Sequence, residues 1–360
     1  MAKYRYLTYD LFTGAPLAEL PLTGVTRTRS LNGSGVLSAS LPAGRERLIR
    51  RIDLSASIPE RTQLFVERDG VLVWGGIIWQ RNRKSGQIAA SEHLGFFERV
   101  RNRADLVYTG VDQLTIAKNL VTAAQAQSGC NIGVQLGAEV SGVTRDRTYP
   151  AIERKPIGEL LRNLSDVEGG FDIISTVTKG AGALSPPVVT ITFAYPRAGR
   201  IAGTTGLVFE SGKNMTDYDV LEDGTRSART IDAIGQGLVG TASDTALVSA
   251  GWPATADTVS HANVTVQATL DSYAAAAVKA SSPTPTFWEI TVNGDDFDVP
   301  YGSWIMGDDC RLHIDDDEFF PRQLDGSPAV DQYMRILDES VTVGADGAET
   351  ITLTLGDVII

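Results

Sequence analysis

The chain is predicted to be mainly β with an α+β insert. Three observations carry that prediction. Residues 1 to about 105 alternate apolar and polar side chains between Gly- and Pro-containing corners. Helical spacing is concentrated between 110 and 170, and alternation returns from Leu207 onward.

The opening stretch is a meander. Tyr4-Arg5-Tyr6-Leu7-Thr8-Tyr9-Asp10 turns at Thr13-Gly14-Ala15-Pro16 and runs on from Leu17 to Leu22. Val25 to Arg29 follows, then the turn Asn32-Gly33-Ser34-Gly35, then Val36 to Pro42. Asp69-Gly70 separates Gln63–Arg68 from Val71–Trp74, a strong hairpin signal because both turn residues tolerate positive φ. Gly75-Gly76 suggests a bulge before Ile77-Ile78-Trp79, and Ser85-Gly86 turns the chain into Gln87–Ala90. Everything to about 105 reads as β.

Beyond Gly110, Asp112 is placed to cap a helix carrying Leu114, Ala117, Leu120, Val121 and Ala124, stopped by Gly129. A second helix starts at Pro156, carries Ile157, Leu160, Leu161 and Leu164, and ends at Gly169-Gly170. Strands are expected at Phe171–Thr178 and Val188–Tyr195, then at Leu207–Phe209 and Ser227–Ile234. One more helix is expected from Asp271 to Ala280, ended by Pro283 and Pro285. The last third returns to strands at Phe287–Val292, Trp304–Ile305, Cys310–Ile314, Tyr333–Val343 and Thr350–Leu355. Gly344-Ala345-Asp346-Gly347 would turn between the last two.

A length of 360 residues suggests two to four domains, and 42% hydrophobic residues suffice for a sizeable core. No apolar run approaches the ~18–20 residues of a membrane span, Ala274–Val278 included, so no membrane insertion is expected. A secretory signal peptide is not expected either. Two cysteines, Cys130 and Cys310, make no disulfide framework and fit a reducing cytoplasm.

Charge is uneven within a net −12. Residues 27–103 are basic, with Arg45, Arg47, Arg50, Arg51, Arg81, Arg83, Lys84, Arg99, Arg101 and Arg103. Residues 289–346 are acidic, with Asp295, Asp296, Asp298, Asp308, Asp309 and the run Asp315-Asp316-Asp317-Glu318. Such ends can pair head-to-tail between copies, or remain two solvated faces. Specific nucleic-acid binding is disfavoured, because the arginines are scattered and the total charge repels phosphate.

No motif singles out chemistry. Gly235-Gln236-Gly237-Leu238-Val239-Gly240 matches a dinucleotide fingerprint with Asp257 beyond it, but no βαβ unit surrounds it. Cys310 and His313 have C-x-x-H spacing without a second pair, and lie on opposite faces of a strand. The 315–318 carboxylates lack a calcium-loop pattern, leaving at most loose cation binding. Asn214-Met215-Thr216 and Asn263-Val264-Thr265 match glycosylation acceptors that a cytoplasmic protein does not use. Trp74, Trp79, Trp252, Trp288 and Trp304 suit strand cores better than sugar platforms. No catalytic, cofactor-binding or metal residue is therefore assigned, no cofactor is expected, and the chain is not read as an enzyme.

Two stretches nonetheless carry a resemblance: Tyr6–Gly14 with Leu31–Gly35 and Leu41-Pro42, and the strand Met306-Gly307-Asp308-Asp309-Cys310-Arg311-Leu312-His313-Ile314-Asp315. In order and wording they resemble minor tail proteins of actinobacterial long-tailed phages, the baseplate or tail-tip hub proteins. The resemblance implies two tail-tube-like β-barrel or sandwich domains per chain plus a small α+β domain. Their expected bounds are 1–108, completed by about 207–240, for the first barrel; 109–206 for the insert; and 241–360, with one helix, for the second barrel. It implies a homotrimeric ring in the virion tail tip, assembled in the host cytoplasm, that joins tail tube and distal tail protein to tip proteins around a DNA channel. Other minor tail proteins and the tape measure protein would be its neighbours. The chain stops just after a strand, so no C-terminal hydrolase extension is expected. The competing readings are a cell-wall polysaccharide hydrolase and a carbohydrate-binding tail module.

Overall fold

A computed structural model describes residues 2–358 apart from 43–45, 183–184, 262–263, 283, 285 and 345–346, and apart from the Arg226 side chain. Pro283, Pro285, Asn263, Arg45 and two residues of the 344–347 turn thus lie outside the described residues. The protein is mainly β with an α+β insert, as the alternation requires.

Strands from both ends of the chain form one thirteen-stranded sheet. Its N-terminal part runs Thr23–Ser30, Val36–Ser40, Gln87–Glu92, Val71–Arg81, Thr62–Arg68, Tyr4–Asp10, Pro16–Glu19. Its C-terminal part runs Met215–Glu222, Thr286–Val292, Glu349–Asp357, Val330–Val343. The 14-residue strand Val330–Val343 joins the two. One edge pairs with Glu349–Asp357. The other edge is divided: Val330–Arg335 pairs with Asp309–Ile314, and Asp338–Val343 pairs with Thr23–Ser30. A register shift between Ile336 and Asp338 falls where the partner changes.

The four opening strands form, but not as a continuous meander: Pro16–Glu19 pairs only with Tyr4–Asp10, and Thr23–Ser30 pairs with Val36–Ser40 and Val330–Val343. Asp69 and Gly70 take φ of 49° and 85°, the left-handed pair that a two-residue hairpin turn needs. Asp10 holds the first turn: its Oδ1 accepts N–H bonds from Phe12 and Thr13 at 3.2 and 2.9 Å. These bonds, led by that from Thr13, hold its carboxyl down at about 2. Gly76 is a packing glycine, since a Cβ there would lie 2.3 Å from the Ser91 carbonyl oxygen.

Residues 1–105 are not all β. Helix α1, Arg47–Ser55, and a 3₁₀ turn, His93–Glu98, interrupt the strands. The nine residues of α1 are rich in arginine, and too short for periodicity to announce them.

The insert contains helices α2 (Gln113–Gln125) and α3 (Ile157–Ser165). Asp112 caps α2 as expected, accepting from the Leu114 and Thr115 amides. Two small sheets flank the helices, Leu106–Asp112 with Thr144–Tyr149, and Asp172–Thr178 with Val188–Ala194. The insert shares a core with the N-terminal sheet: Phe65, Leu72 and Ile77 pack with Leu114, Leu120, Ile157, Leu161 and Ile191. Thr62–Arg68 is consequently buried on both faces.

Residues 207–240 and 241–360 are placed differently from the bounds drawn by sequence. Val208–Glu210 runs parallel to Asp309–Ile314, and Met215–Glu222 pairs with Thr286–Val292. Both therefore belong to the C-terminal half. Between the last two strands sits a separate α+β unit: strands Val239–Ser243, Thr230–Ile234 and Ala256–Ser260, with helices α4 (Thr245–Ser249) and α5 (Gln267–Ser281). Leu270, Tyr273 and Ala274 pack with Ala233 in its own small core, which also takes in Val167 of the insert. Hairpin pairing across so long an interruption leaves no local signal, so a sequence reading assigns the flanks to whichever β run is nearer.

A buried ion pair crosses the seam between the halves. Arg27 Nη1 donates to Glu339 Oε1 at 2.8 Å, and the two side chains are 1% and 2% exposed. Trp304 Nε1 donates to Glu339 Oε2 at 3.1 Å, and Arg27 also bonds the Tyr301 hydroxyl. Burial opposes ionisation of Glu339, yet Arg27 and Arg29 hold its carboxyl below the usual range. Arg27→Met should destabilise the fold by about 3–5 kcal/mol, because it strands a buried carboxylate. Arg27→Met with Glu339→Leu should recover much of that loss in equilibrium denaturation.

Candidate functional site

Each motif singled out by sequence has a structural position. Gly235–Gly240 is a hairpin turn: the Gly235 amide donates to the Leu238 carbonyl at 2.9 Å, between Thr230–Ile234 and Val239–Ser243. It opens no helix, so it offers no N-terminal dipole for a pyrophosphate. Asp257 lies on the parallel neighbour, opposite Ile231.

Cys310 is buried in the core of strand Asp309–Ile314 and burial pushes its thiol up, while His313, on the other face, approaches Asp331 at 3.9 Å. Among the described residues no group of three or more His, Cys, Asp or Glu side chains could hold a metal ion. The 315–318 carboxylates close their own loop: Asp316 accepts from the Arg322 amide at 2.8 Å, Asp317 accepts from Phe319 at 2.9 Å, and Asp315 pairs with the Arg322 guanidinium.

The tryptophans divide sharply. Trp74, Trp288 and Trp304 are buried, and Trp79 is half-buried beneath the Arg99 guanidinium, 4.1 Å from its ring. Trp252 alone is exposed, at 48%. No helix among the described residues is long and apolar enough to cross a membrane.

Two arginines of the basic end are paired with carboxylates of the C-terminal part. Besides Arg27–Glu339, Arg68 grips Glu349 in a bidentate pair at 3.0 and 2.5 Å, and Tyr4 donates to the same carboxylate at 2.5 Å. These bonds draw the Tyr4–Asp10 and Thr62–Arg68 strands onto the start of the last strand. The basic and acidic ends meet within one chain.

The 306–309 motif has a structural role too. Asp308 and Asp309, 0% and 1% exposed, pair with Arg200 and Arg197 on the segment returning from the insert. Asp309 Oδ2 also accepts from the Ala202 amide at 2.8 Å. Gly307 takes φ 89°, and a Cβ on it would lie 2.8 Å from the Ala198 carbonyl oxygen. Asp172 completes the latch, accepting from Arg335, the Ala198 amide at 2.7 Å and Asn32 Nδ2 at 2.9 Å. Asn32 of the opening meander thus clasps the insert, and Arg335 of the shared strand holds it from the other side.

Two buried titratable neighbours lie beside the seam. Glu92 accepts from the Gly35 amide at 2.9 Å, and burial pushes its carboxyl up to about 7. His93 faces Gln63 Oε1 at 2.8 Å, and burial pushes its imidazole down to about 4. Glu92 and Glu339 line one cavity of about 220 Å³ together with Arg29, Trp74, Tyr301 and Trp304. A neutral and an ionised carboxyl can divide acid and base roles. Here both are more than nine-tenths buried, and both oxygens of Glu339 are engaged by Arg27, Tyr301 and Trp304. A second cleft, of about 200 Å³, separates the insert from α5 and is lined by Tyr108, Arg147, Tyr149, His261 and Tyr273.

Fold and site together define a β-rich scaffold in which a set of buried ion pairs holds the halves and the insert together. No protein-family model and no curated protein matches the chain. Solved structures do. The chain is similar to the 43 kDa tail protein of prophage MuSo2 from Shewanella oneidensis, with TM-score 0.60, 14% identity, and 98% of this chain and 97% of that one covered. It is similar to the tail protein from Neisseria meningitidis MC58, with TM-score 0.60, 14% identity, and 99% and 96% covered. It is similar to prophage tail protein gp18 from Listeria monocytogenes EGD-e, with TM-score 0.55, 10% identity, and 98% and 94% covered. The fold, over its whole length, is that of these phage tail proteins.

Two measurements test the site. Glu92 is protonated more readily folded than at its ordinary 4.5, so its contribution is present at low pH and lost as pH rises through about 7. His93 has a folded value below its ordinary 6.5, so stability is lost as pH falls from 6.5 towards 4. The slopes oppose each other between 4.5 and 6.5. Glu92→Gln should therefore leave the protein losing stability on acidification, and His93→Gln should leave it gaining, each by up to about 3 kcal/mol in urea titrations. Gly307→Ala, which adds a Cβ at positive φ against Ala198, should cost at least about 2 kcal/mol in the same assay.

Proposed function

We propose that this chain is a structural hub of the tail tip or baseplate of a long-tailed phage. The observation that carries the reading is the end-to-end likeness to phage tail proteins, which extends over both β halves and the insert. In this reading the chain assembles as a homotrimer. Two β halves per chain, locked by a common strand, then supply six β units around a threefold axis. Such a ring joins a sixfold tail tube and distal tail protein to threefold tip proteins, and its lumen contributes to the DNA channel. Other minor tail proteins and the tape measure protein are its further neighbours. The protein resides in the virion tail tip after assembly in the host cytoplasm, needs no cofactor and turns nothing over. The wording of Tyr6–Gly14 and of Met306–Asp315 supports placing the phage among those of actinobacteria.

Supporting a scaffold role, the largest charged clusters serve internal closure, and Arg27, Glu339, Asp308 and Asp309 are buried. Only Trp252 among the tryptophans is exposed, so no tryptophan platform for a glycan is formed. The carboxyl pair with divided protonation, Glu92 and Glu339, faces the protein interior, which disfavours a hydrolase.

Sedimentation velocity of the purified chain, with and without its neighbouring tail proteins, is expected to give a particle of three times the single-chain mass. Incubation with peptidoglycan is expected to release no reducing ends. A monomer under both conditions that cleaves cell wall would overturn the hub reading.

A further inference from the structure

Helix α1 is amphipathic, and its apolar face is uncovered. Leu48 is 70% exposed, Ile52 50% and Ile49 37%, with Ile58 at 43% just beyond the helix. Leu48 and Ile52 lie one turn apart and form a stripe. Arg47 and Arg51, at the same spacing and also exposed, flank it. Arg50 Nη2 donates to the Arg83 carbonyl at 3.1 Å, tying the helix to a turn where Arg83 and Lys84 are exposed as well. A nine-residue helix is marginal without tertiary cover, and of its own residues only Asp53 is buried. The result is an apolar stripe in a basic frame.

The same chain carries the opposite shape in Asp295-Asp296-Phe297-Asp298. Phe297 is 96% exposed. It is held out by a tight turn in which Asp296 Oδ1 accepts from the Asp298 and Val299 amides at 2.9 Å each. Asn293 Oδ1 accepts from the Asp295 amide at 3.0 Å, and Asp295 reaches Arg68 at 3.5 Å. This is a rigid aromatic knob in an acidic frame. The stripe and the knob are both exposed in one molecule, so they do not cover each other within a chain.

We infer that α1 of one copy receives the Phe297 loop of the next copy in a head-to-tail contact. Phe297 seats against Leu48, Ile49 and Ile52, and Asp296 and Asp298 face Arg47 and Arg51. Apolar and charged elements match together, and both halves of the match belong to this chain, which argues for a second copy over a foreign partner. A heterologous contact of this kind closes into a ring when its rotation divides the circle. The inference rests on the trimeric hub reading and supplies the surfaces through which that trimer forms.

The test uses the full chain in a Cys130→Ser background, since the other native cysteine, Cys310, is buried. Ser55→Cys with Pro300→Cys, exposed positions beside the stripe and the knob that leave both intact, treated with a short bismaleimide, is expected to give covalent dimers and trimers, and either single substitution only uncrosslinked chain. Phe297→Ala and Arg51→Glu should each weaken association at least tenfold with unchanged circular dichroism, as both side chains are exposed. Arg51→Glu combined with Asp298→Arg should restore it. Trimers that form without cross-links and tolerate Phe297→Ala would overturn this contact while leaving the hub reading intact. Cross-linking of the Ser55→Cys variant to a neighbouring tail protein instead would also overturn it. A chain that stays monomeric with its neighbours present would remove both readings.

Discussion

The structure depends on one strand serving two neighbours. Val330–Val343 is longer than any partner on its divided edge, so it hydrogen-bonds to Asp309–Ile314 along its first half and to Thr23–Ser30 along its second. Backbone pairing alone would tolerate slippage, and a slip by one residue would reverse every side chain. The Arg27–Glu339 pair prevents it. A buried guanidinium and a buried carboxylate can meet in only one register, and Tyr301 and Trp304 add further hydrogen bonds to the same pair. Apolar side chains from both ends, Leu37, Trp74, Ile290 and Leu353 among them, then close a common core over the seam.

The same economy governs the insert. Asn32, Asp172, Arg335, Arg197, Arg200, Asp308 and Asp309 form a contiguous polar latch at the junction of meander, insert and shared strand. Buried charges stabilise only when each is fully partnered, and here each carboxylate meets its own arginine or backbone amides. Close backbone crossing at Gly199 and Gly307 brings the two sides near enough for those bonds. A two-half scaffold with a firmly clasped insert is consistent with the structural role proposed above.

What remains free for partners is what the interior did not use. The exposed surface includes a basic helix with an apolar stripe and an acidic loop carrying an exposed phenylalanine. Charge complementarity of that kind steers assembly order and excludes wrong registers more than it adds affinity. The internal pairs are shielded from salt, and the exposed remainder is not.

Much of the fold was legible in the sequence because it is written in local chemistry. Alternation announced the opening meander, Asp69-Gly70 its hairpin, Asp112 its helix cap, and Tyr6–Gly14 with Met306–Asp315 a resemblance to tail proteins. The Gly235–Gly240 wording of a dinucleotide loop sits in the structure as a hairpin turn that opens no helix. Helix α1 was not readable, because nine residues span only about two and a half turns, too short a run to stand out among strands. Nor was the unit inside the Met215–Glu222 and Thr286–Val292 hairpin, because pairing across a long interruption leaves no trace in neighbouring residues. By itself the sequence determined that the chain is β-rich, with one basic and one acidic end. Only the tertiary structure decided where those charges go: Arg27 finds Glu339 across most of the chain length, a meeting set by the sheet register that no local pattern encodes.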